Sequence, residues 1–328
     1  MKNKLENLVI ETTKKLEFDN IFDRFNKYAN SISANIENNA YDIFKKKNGY
    51  GLHVYMNLNN AKKPKPEISL RYHGQEVANV NLKLELTPKT KNNQNFFKDI
   101  PQFNDSFLWN SKEGTNFRKY FRDCEISNLR SEEHKHESQI LRELETRKSL
   151  LKSLLFIQPI KIDNKFRIQF PTALNAYGDI TGGNIDILAR VGSGKNTNIL
   201  VIELKQSSTY LKRNNGIEQA IRYALFVREL IRNPNSSNKD KWIKIFGFKD
   251  TRLKSRMTFF ATLMVPLELK KQALEILDPY LALPEYVFEN NDRLKVCYIF
   301  YTQINDEIKI TETHGIQGVK TNSNLKLI

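Results

Sequence analysis

Cysteine is almost missing from this chain: Cys124 and Cys297 are the only two in 328 residues. Far apart and without C-x-x-C spacing, they build neither a disulfide framework nor a cysteine-rich zinc site, which fits a reducing compartment. Glycine and proline are scarce as well, at 13 and 10 residues, so collagen-like and low-complexity architectures are excluded. Long apolar runs are also lacking. The first twenty residues, MKNKLENLVIETTKKLEFDN, are broken by charge every few positions and read as neither a signal peptide nor a membrane span. A cytoplasmic location without a membrane partner is expected. Acidic residues are outnumbered, 37 Asp and Glu against 52 Lys and Arg, for a formal net charge of +15. Such an excess favours polyanionic partners through phosphate neutralisation, although solubility alone accounts for it equally. It is shared by both sides of residue 130, so neither part is a detachable basic tail.

What the chain does contain is enough apolar and aromatic side chain, 40% and 11%, to exclude a disordered polymer. At about 150 residues per domain the length suggests two domains. Residues 3–30 carry Leu5, Leu8, Val9 and Leu16 at helical spacing. Val80, Leu82, Leu84 and Leu86 alternate with Asn79, Asn81, Lys83 and Glu85, which predicts one half-buried strand. Glu67 to Arg71 is expected to pair with it through a turn near His73-Gly74-Gln75. Residues 1–125 therefore read as an α+β domain of unknown role.

From Ser131 to about Leu155, Ile140, Leu141, Leu144, Leu151 and Leu155 fall on one side of a helix. Apolar runs follow at Leu155 to Ile162, Phe166 to Phe170, Ile185 to Val191, Ile199 to Leu204 and Phe259 to Val265. A helix from about Gly216 to Ile231 separates the last two. The order α-β-β-β-α-β defines a second expected domain, 126–328.

The chemistry concentrates in residues 182–206, GGNIDILARVGSGKNTNILVIELKQ. Two apolar strands flank a turn at Gly192 to Asn196. If the turn centres between Gly194 and Lys195, paired residues sum to 389 and Asp186 faces Glu203, with Cβ atoms about 4.5 to 5.5 Å apart. Lys205 shares that face, while Ile185, Ile187, Ile202 and Leu204 point into a core. A one-residue slip would send Asp186 to the other face. Two carboxylates this close raise each other's pKa unless a cation lies between them. Magnesium takes one or two carboxylates, waters and phosphate oxygens, so the set suits phosphodiester chemistry. The E-x-K triplet by itself is common on solvated strand faces.

The pieces Gly183-Asn184-Ile185-Asp186, Ile202-Glu203-Leu204-Lys205 and Gln219-Ala220-Ile221-Arg222-Tyr223, in that order, resemble the PD-(D/E)XK nuclease superfamily and the Q-x-x-x-Y motif of its RecB-like branch. The resemblance covers about residues 131 to 265. It implies a restriction-endonuclease-like α-β-β-β-α-β core with a mixed central sheet, and a Mg²⁺-dependent nuclease in which Mn²⁺ is expected to substitute. By the same resemblance Asp186 and Glu203 bind metal, the Leu204 carbonyl is a further ligand, Lys205 is the catalytic lysine, and Gln219 and Tyr223 support the site. Restriction, repair and defence against foreign DNA are the roles it suggests. The superfamily often adds a glutamate from its first core helix. Glu137 falls at about 60° inside the apolar stripe, Glu133 at about 20°, and Glu137 is taken as the third acidic ligand. A solvated first-turn residue is the competing account of Glu137.

Several signals are set aside. The GSGKNT stretch lacks the first P-loop glycine and joins two strands, so it reads as a hairpin turn. His134 and His136 diverge by about 200° on a helix and cannot grip one ion. Asp179 lacks apolar alternation around it and ranks behind Asp186. Lys249, Arg252, Lys254 and Arg256 cluster before the last core strand, and Arg213, Arg222, Arg228 and Arg232 surround the second helix; both groups could follow a phosphate backbone. DNA is the expected partner, with a homo-oligomer or protein contact possible through the N-terminal segment. The alternatives are an RNA-cleaving nuclease of the same superfamily and a non-catalytic nucleic-acid-binding or partner-docking protein.

Overall fold

The computed structural model describes residues 4–17, 20–44, 51–58, 65–89, 103, 105–123, 132–146, 157–192, 197–213, 215–232, 237–248, 256–304 and 307–316. Helices α1 (Lys4–Leu16) and α2 (Asn20–Glu37) precede strands β1 (Leu52–Leu58), β2 (Pro66–Tyr72), β3 (Gln75–Val80), β4 (Glu85–Pro88) and β5 (Phe107–Leu108). Helices α3 (Lys112–Asp123) and α4 (Glu132–Thr146) lead to β6 (Ile157–Pro159), β7 (Lys161–Ile162), β8 (Phe166–Thr172), β9 (Gly183–Ile185), β10 (Ile187–Val191) and β11 (Asn198–Leu204). Then come α5 (Ser208–Arg213), α6 (Gly216–Arg232), α7 (Lys239–Ile245), β12 (Thr258–Pro266), α8 (Lys270–Leu281), β13 (Glu285–Val287), β14 (Arg293–Ile304) and β15 (Glu307–His314). The protein is mixed α/β with two mixed sheets. Among the described residues no helix is long and apolar enough to cross a membrane.

The first sheet runs β5-β4-β3-β2-β1-β8-β7, with β9 also on β8. The second runs β13-β14-β12-β11-β10-β6, with β15 on β14. Strand β11 is buried on both faces, and its NILVIEL composition matches the near-continuous apolar run such a position demands. It pairs antiparallel with β10 and parallel with β12, and α6 supplies the crossover that a parallel pair requires. Its side chains alternate between two cores. Ile199 and Val201 join the cluster containing Ala220, Ala224 and Val227 of α6, while Leu200, Ile202 and Leu204 join Ile140, Leu141 and Leu144 of α4. This parity puts Glu203 and Lys205 on the α6 side.

Three local expectations change. The helical region 3–30 is two helices. The alternating run from Asn79 to Leu86 is not one strand: β3 ends at Val80, and the chain turns back into β4 at Glu85. The Asn81 side-chain carbonyl accepts from the N–H groups of Lys83 (2.8 Å) and Glu85 (3.0 Å), and Leu84 takes φ +59°, so an Asx turn breaks the alternation and leaves Leu82 exposed. The stretch Leu155 to Ile162 divides, β6 joining β10 in the second sheet and β7 joining β8 in the first. Ile68 to Arg71 of the expected Glu67 to Arg71 run do pair through the His73-Gly74 turn, but with β3, so that only Asn79 and Val80 of the expected partner run take part.

The segments before residue 125 and after 126 are interwoven. Strand β1 pairs in parallel with β8, Tyr55 opposite Arg167, and Lys4 of α1 bridges to Glu218 of α6 at 3.1 Å while lying over the Tyr280 ring of α8. One core cluster includes Leu5, Phe25, Met56, Phe170, Phe226 and Phe300. The N-terminal helices thus cover the face of α6 turned away from the second sheet.

Candidate functional site

The β10–β11 ladder pairs Ile187 with Ile202, Leu188 with Val201 and Val191 with Asn198, each summing to 389. Its register is the one expected from the sequence, although turn residues 193–196 lie outside the described set. One step beyond the Ile187–Ile202 pair, Asp186 and Glu203 meet. The Asp186 and Glu203 carboxyl groups share a hydrogen bond, which requires a proton on one of them, and Asp186 Oδ2 accepts from the Leu204 N–H at 2.7 Å. Lys205 Nζ lies 3.4 Å from Glu203 Oε2. Glu203 is fully buried and Lys205 only 4% exposed. The Lys205 N–H donates to the Met264 carbonyl at 3.0 Å, which anchors the strand end to β12.

Burial holds the Asp186 carboxyl above its ordinary range, against the Lys205 charge, the Leu204 N–H and the Glu203 hydrogen bond, all of which pull it down. The site therefore favours a protonated or cation-neutralised aspartate.

Helix α6 brings Gln219 and Tyr223 to the same place, neighbours at i and i+4. Gln219 Nε2 donates to the Tyr223 hydroxyl at 3.2 Å. Burial first, and the Glu203 charge second, push the Tyr223 phenol up, so it remains a neutral hydroxyl. That hydroxyl also shares a hydrogen bond with Thr172, which in turn donates to the Leu174 carbonyl at 2.5 Å. Thr172 ends β8 and is fully buried, and nothing local in the sequence marked it. Two glycines make room. A Cβ on Gly183 would stand 2.1 Å from Tyr223 Oη, and one on Gly216 would stand 3.0 Å from Lys205 Cγ and 2.8 Å from Leu263 Cδ1.

Glu137 is buried on α4, as its angle within the apolar stripe implied, and lies in electrostatic reach of Tyr55 on β1. It does not join the pair as a third ligand: among the described residues no three His, Cys, Asp or Glu side chains form a metal-sized group. His134, from the first turn of α4, adds its electrostatic influence to Asp186. Asp179 is exposed in the β8–β9 loop, where Asn175 holds its carboxylate, and it stays apart from the pair.

Three of the arginines around α6 are engaged elsewhere, and the side chain of Arg213 lies outside the described set. Arg222 binds Glu218 (3.0 Å) and the Ala176 carbonyl (2.6 Å), while Arg228 and Arg232 converge on the buried Asp292 at 3.6 and 2.7 Å. They brace the fold instead of facing solvent as a phosphate track. Lys249, Arg252 and Lys254 lie outside the described residues, and Arg256 is exposed just before β12.

The donor chemistry fits a hard divalent ion. Two carboxylates in mutual contact, one of them destabilised by burial, supply the oxygen ligands that magnesium or manganese accepts, and such an ion completes its shell with water and phosphate oxygen. Comparison with family models, curated proteins and solved structures finds no match.

Proposed function

We propose that this chain is a Mg²⁺-dependent deoxyribonuclease that hydrolyses DNA phosphodiester bonds in the cytoplasm, built on a restriction-endonuclease-like core of the PD-(D/E)XK kind. The observation that carries the reading is the convergence of Asp186, Glu203 and Lys205 beside Gln219 and Tyr223. The order of α4, β8, β9 with β10, β11, α6 and β12 supports it, as does the net positive charge.

In this reading Asp186, Glu203 and the Leu204 carbonyl hold the ion, whose contribution is Lewis-acid polarisation of a phosphoryl oxygen and acidification of water. Lys205 donates hydrogen bonds to the attacking water and offsets the negative charge that builds on the phosphate. Its ammonium is fixed by Glu203 at 3.4 Å, so little reorganisation accompanies the reaction. Gln219 is held through its Nε2 by Tyr223 and orients substrate or the lysine from α6. Lys249, Arg252, Lys254 and Arg256 are proposed phosphate contacts that hold the duplex without reading its sequence. Restriction, repair and defence against foreign DNA are the settings in which such an activity belongs.

Plasmid cleavage by the unchanged chain, Asp186→Ala and Lys205→Ala, with Mg²⁺, with Mn²⁺ and with EDTA, tests the reading. Either substitution is expected to abolish metal-dependent cutting while folding and binding persist. Unchanged cutting by both variants would remove the assignment. Parallel assays on RNA separate the deoxyribonuclease from an RNA-cleaving enzyme, and binding without cutting by the unchanged chain would indicate a docking protein.

A further inference from the structure

Thr172, the last residue of β8, is fully buried, and its hydroxyl donates to the Leu174 carbonyl at 2.5 Å. A hydroxyl carries one proton, so the bond that Thr172 shares with Tyr223 runs the other way, from the phenol to Thr172 Oγ1. The phenol proton is thereby committed. What remains on Tyr223 Oη is acceptor capacity, and Gln219 meets it with Nε2 at 3.2 Å. Because a carbonyl can only accept, the Leu174 backbone sets the direction of donation through all three side chains: Gln219 to Tyr223, Tyr223 to Thr172, Thr172 to Leu174.

The Gln219 amide is left with its carbonyl oxygen turned away from Tyr223. Gln219 is only 8% exposed, and its Oε1 finds no donor among the described residues. Turning the amide over does not relieve that oxygen, which would then face a phenol whose proton is already given to Thr172. Its place is set by α6. Gly216, Gln219 and Tyr223 follow one helix face at i, i+3 and i+7. At one end, a Cβ on Gly216 would lie 3.0 Å from Lys205 Cγ and 3.4 Å from its Cε. At the other, the Tyr223 hydroxyl crowds Gly183 and feels the charges of Glu203 and Asp186. The amide therefore stands between the lysine stem and the Tyr223 hydroxyl.

We infer that Thr172 is a positioning residue: acting through Tyr223, it holds the Gln219 carbonyl oxygen toward the Asp186, Glu203 and Lys205 group as the acceptor for one proton of the attacking water. Lys205 can donate to that water but cannot accept from it, so a neutral acceptor beside the lysine completes its orientation. Without the Thr172 hydroxyl the phenol proton is released to Gln219 Oε1. The amide then turns over, and N–H groups face the ammonium where a carbonyl stood. The inference rests on the nuclease reading for the identity of the bound water, while its hydrogen-bond chain is measured without cleavage.

Two measurements on the full-length chain test it. By urea denaturation in EDTA, Thr172→Val and Tyr223→Phe are each expected to raise the unfolding constant roughly ten-fold, and the double variant to fall at least about five-fold short of their product. In single-turnover cleavage of linearised plasmid with Mg²⁺, Thr172→Val is expected to lower the rate roughly ten-fold, with half-saturation by DNA and by Mg²⁺ within about two-fold, and Thr172→Ser to restore it. Placed on Gln219→Ala, Thr172→Val should lower the rate by no more than about two-fold, whereas a merely structural loss would act equally in both backgrounds. Multiplicative unfolding constants, equal rate losses in both backgrounds, or failure of Thr172→Ser to restore the rate would each overturn this proposal and leave the nuclease in place. Absence of cutting by the unchanged chain would remove the nuclease reading and this proposal together.

Discussion

The Tyr223 hydroxyl occupies the space that a side chain on Gly183 would need, 2.1 Å from the position of the missing Cβ. That closeness lets α6 lean on β9 at the point where the chain turns toward Asp186. Gly183→Ala is expected to displace Tyr223 and lower stability by about 1 to 3 kcal/mol, the usual range for overpacking. Tyr223→Phe removes the nearest atom, so the double variant should be less destabilised than the two single losses added together. A double-mutant cycle by urea denaturation measures the coupling, and strict additivity would mean that the two residues do not compete for one space.

Asp186 predicts an inverse trade between stability and activity. Its carboxyl is raised in the folded chain, so its stabilising neutral form is complete below the ordinary value of 3.8 and is lost as pH rises through the folded value. At pH 7 in EDTA, Asp186→Asn should therefore be more stable than the unchanged chain by roughly 1 kcal/mol, and the gap should close in acid. Magnesium should raise the melting temperature of the unchanged chain and leave that of Asp186→Asn in place. Thermal melts across pH check both statements.

His53 on β1 should govern part of the acid limb. Burial, reinforced by the Arg167 charge, holds its imidazole down to about 3. A lowered folded value means that the contribution is present in full above the ordinary 6.5 and is lost as pH falls from there toward 3. His53→Gln should remove that loss, roughly 2 kcal/mol of which has accumulated by about pH 5, seen as a flatter plot of unfolding free energy against pH. Parallel curves for the two proteins would discount His53.

Asp292 is a buried anion beside the C-terminal end of α6. Fully buried, it accepts from Arg232 through two nitrogens (2.7 and 2.8 Å), from the Met257 N–H (2.8 Å) and from Asn290 Nδ2 (2.9 Å). These bonds fasten the end of α6 to the starts of β12 and β14. Asp292→Ala leaves the guanidinium and the N–H without that acceptor and should cost about 3 to 5 kcal/mol. A loss under about 1 kcal/mol in chemical denaturation would show that water or Glu229 replaces it.

The parts of the site that were legible are those fixed by short-range geometry. Period-2 alternation on both sides of a glycine-rich turn determined which residues face each other, so Asp186, Glu203 and Lys205 could be placed together before any coordinates. The i, i+4 spacing did the same for Gln219 and Tyr223. Contacts across the chain were not legible. Nothing near Tyr55 or Arg167 announces their parallel pairing, and without it the neighbour of Glu137 could not be known. Asn81 illustrates a different failure: its side chain competes with the ladder for backbone N–H groups, and an alternating pattern conceals that competition.

The parallel pairing of β1 with β8 has a practical outcome for anyone trimming the molecule. A fragment beginning at residue 126 would leave the β8 margin open where β1 had capped it and would strip α1 from α6. An uncapped margin of this kind invites self-association, so a silent or insoluble truncation would report on the cut and not on the chemistry of Asp186 and Glu203.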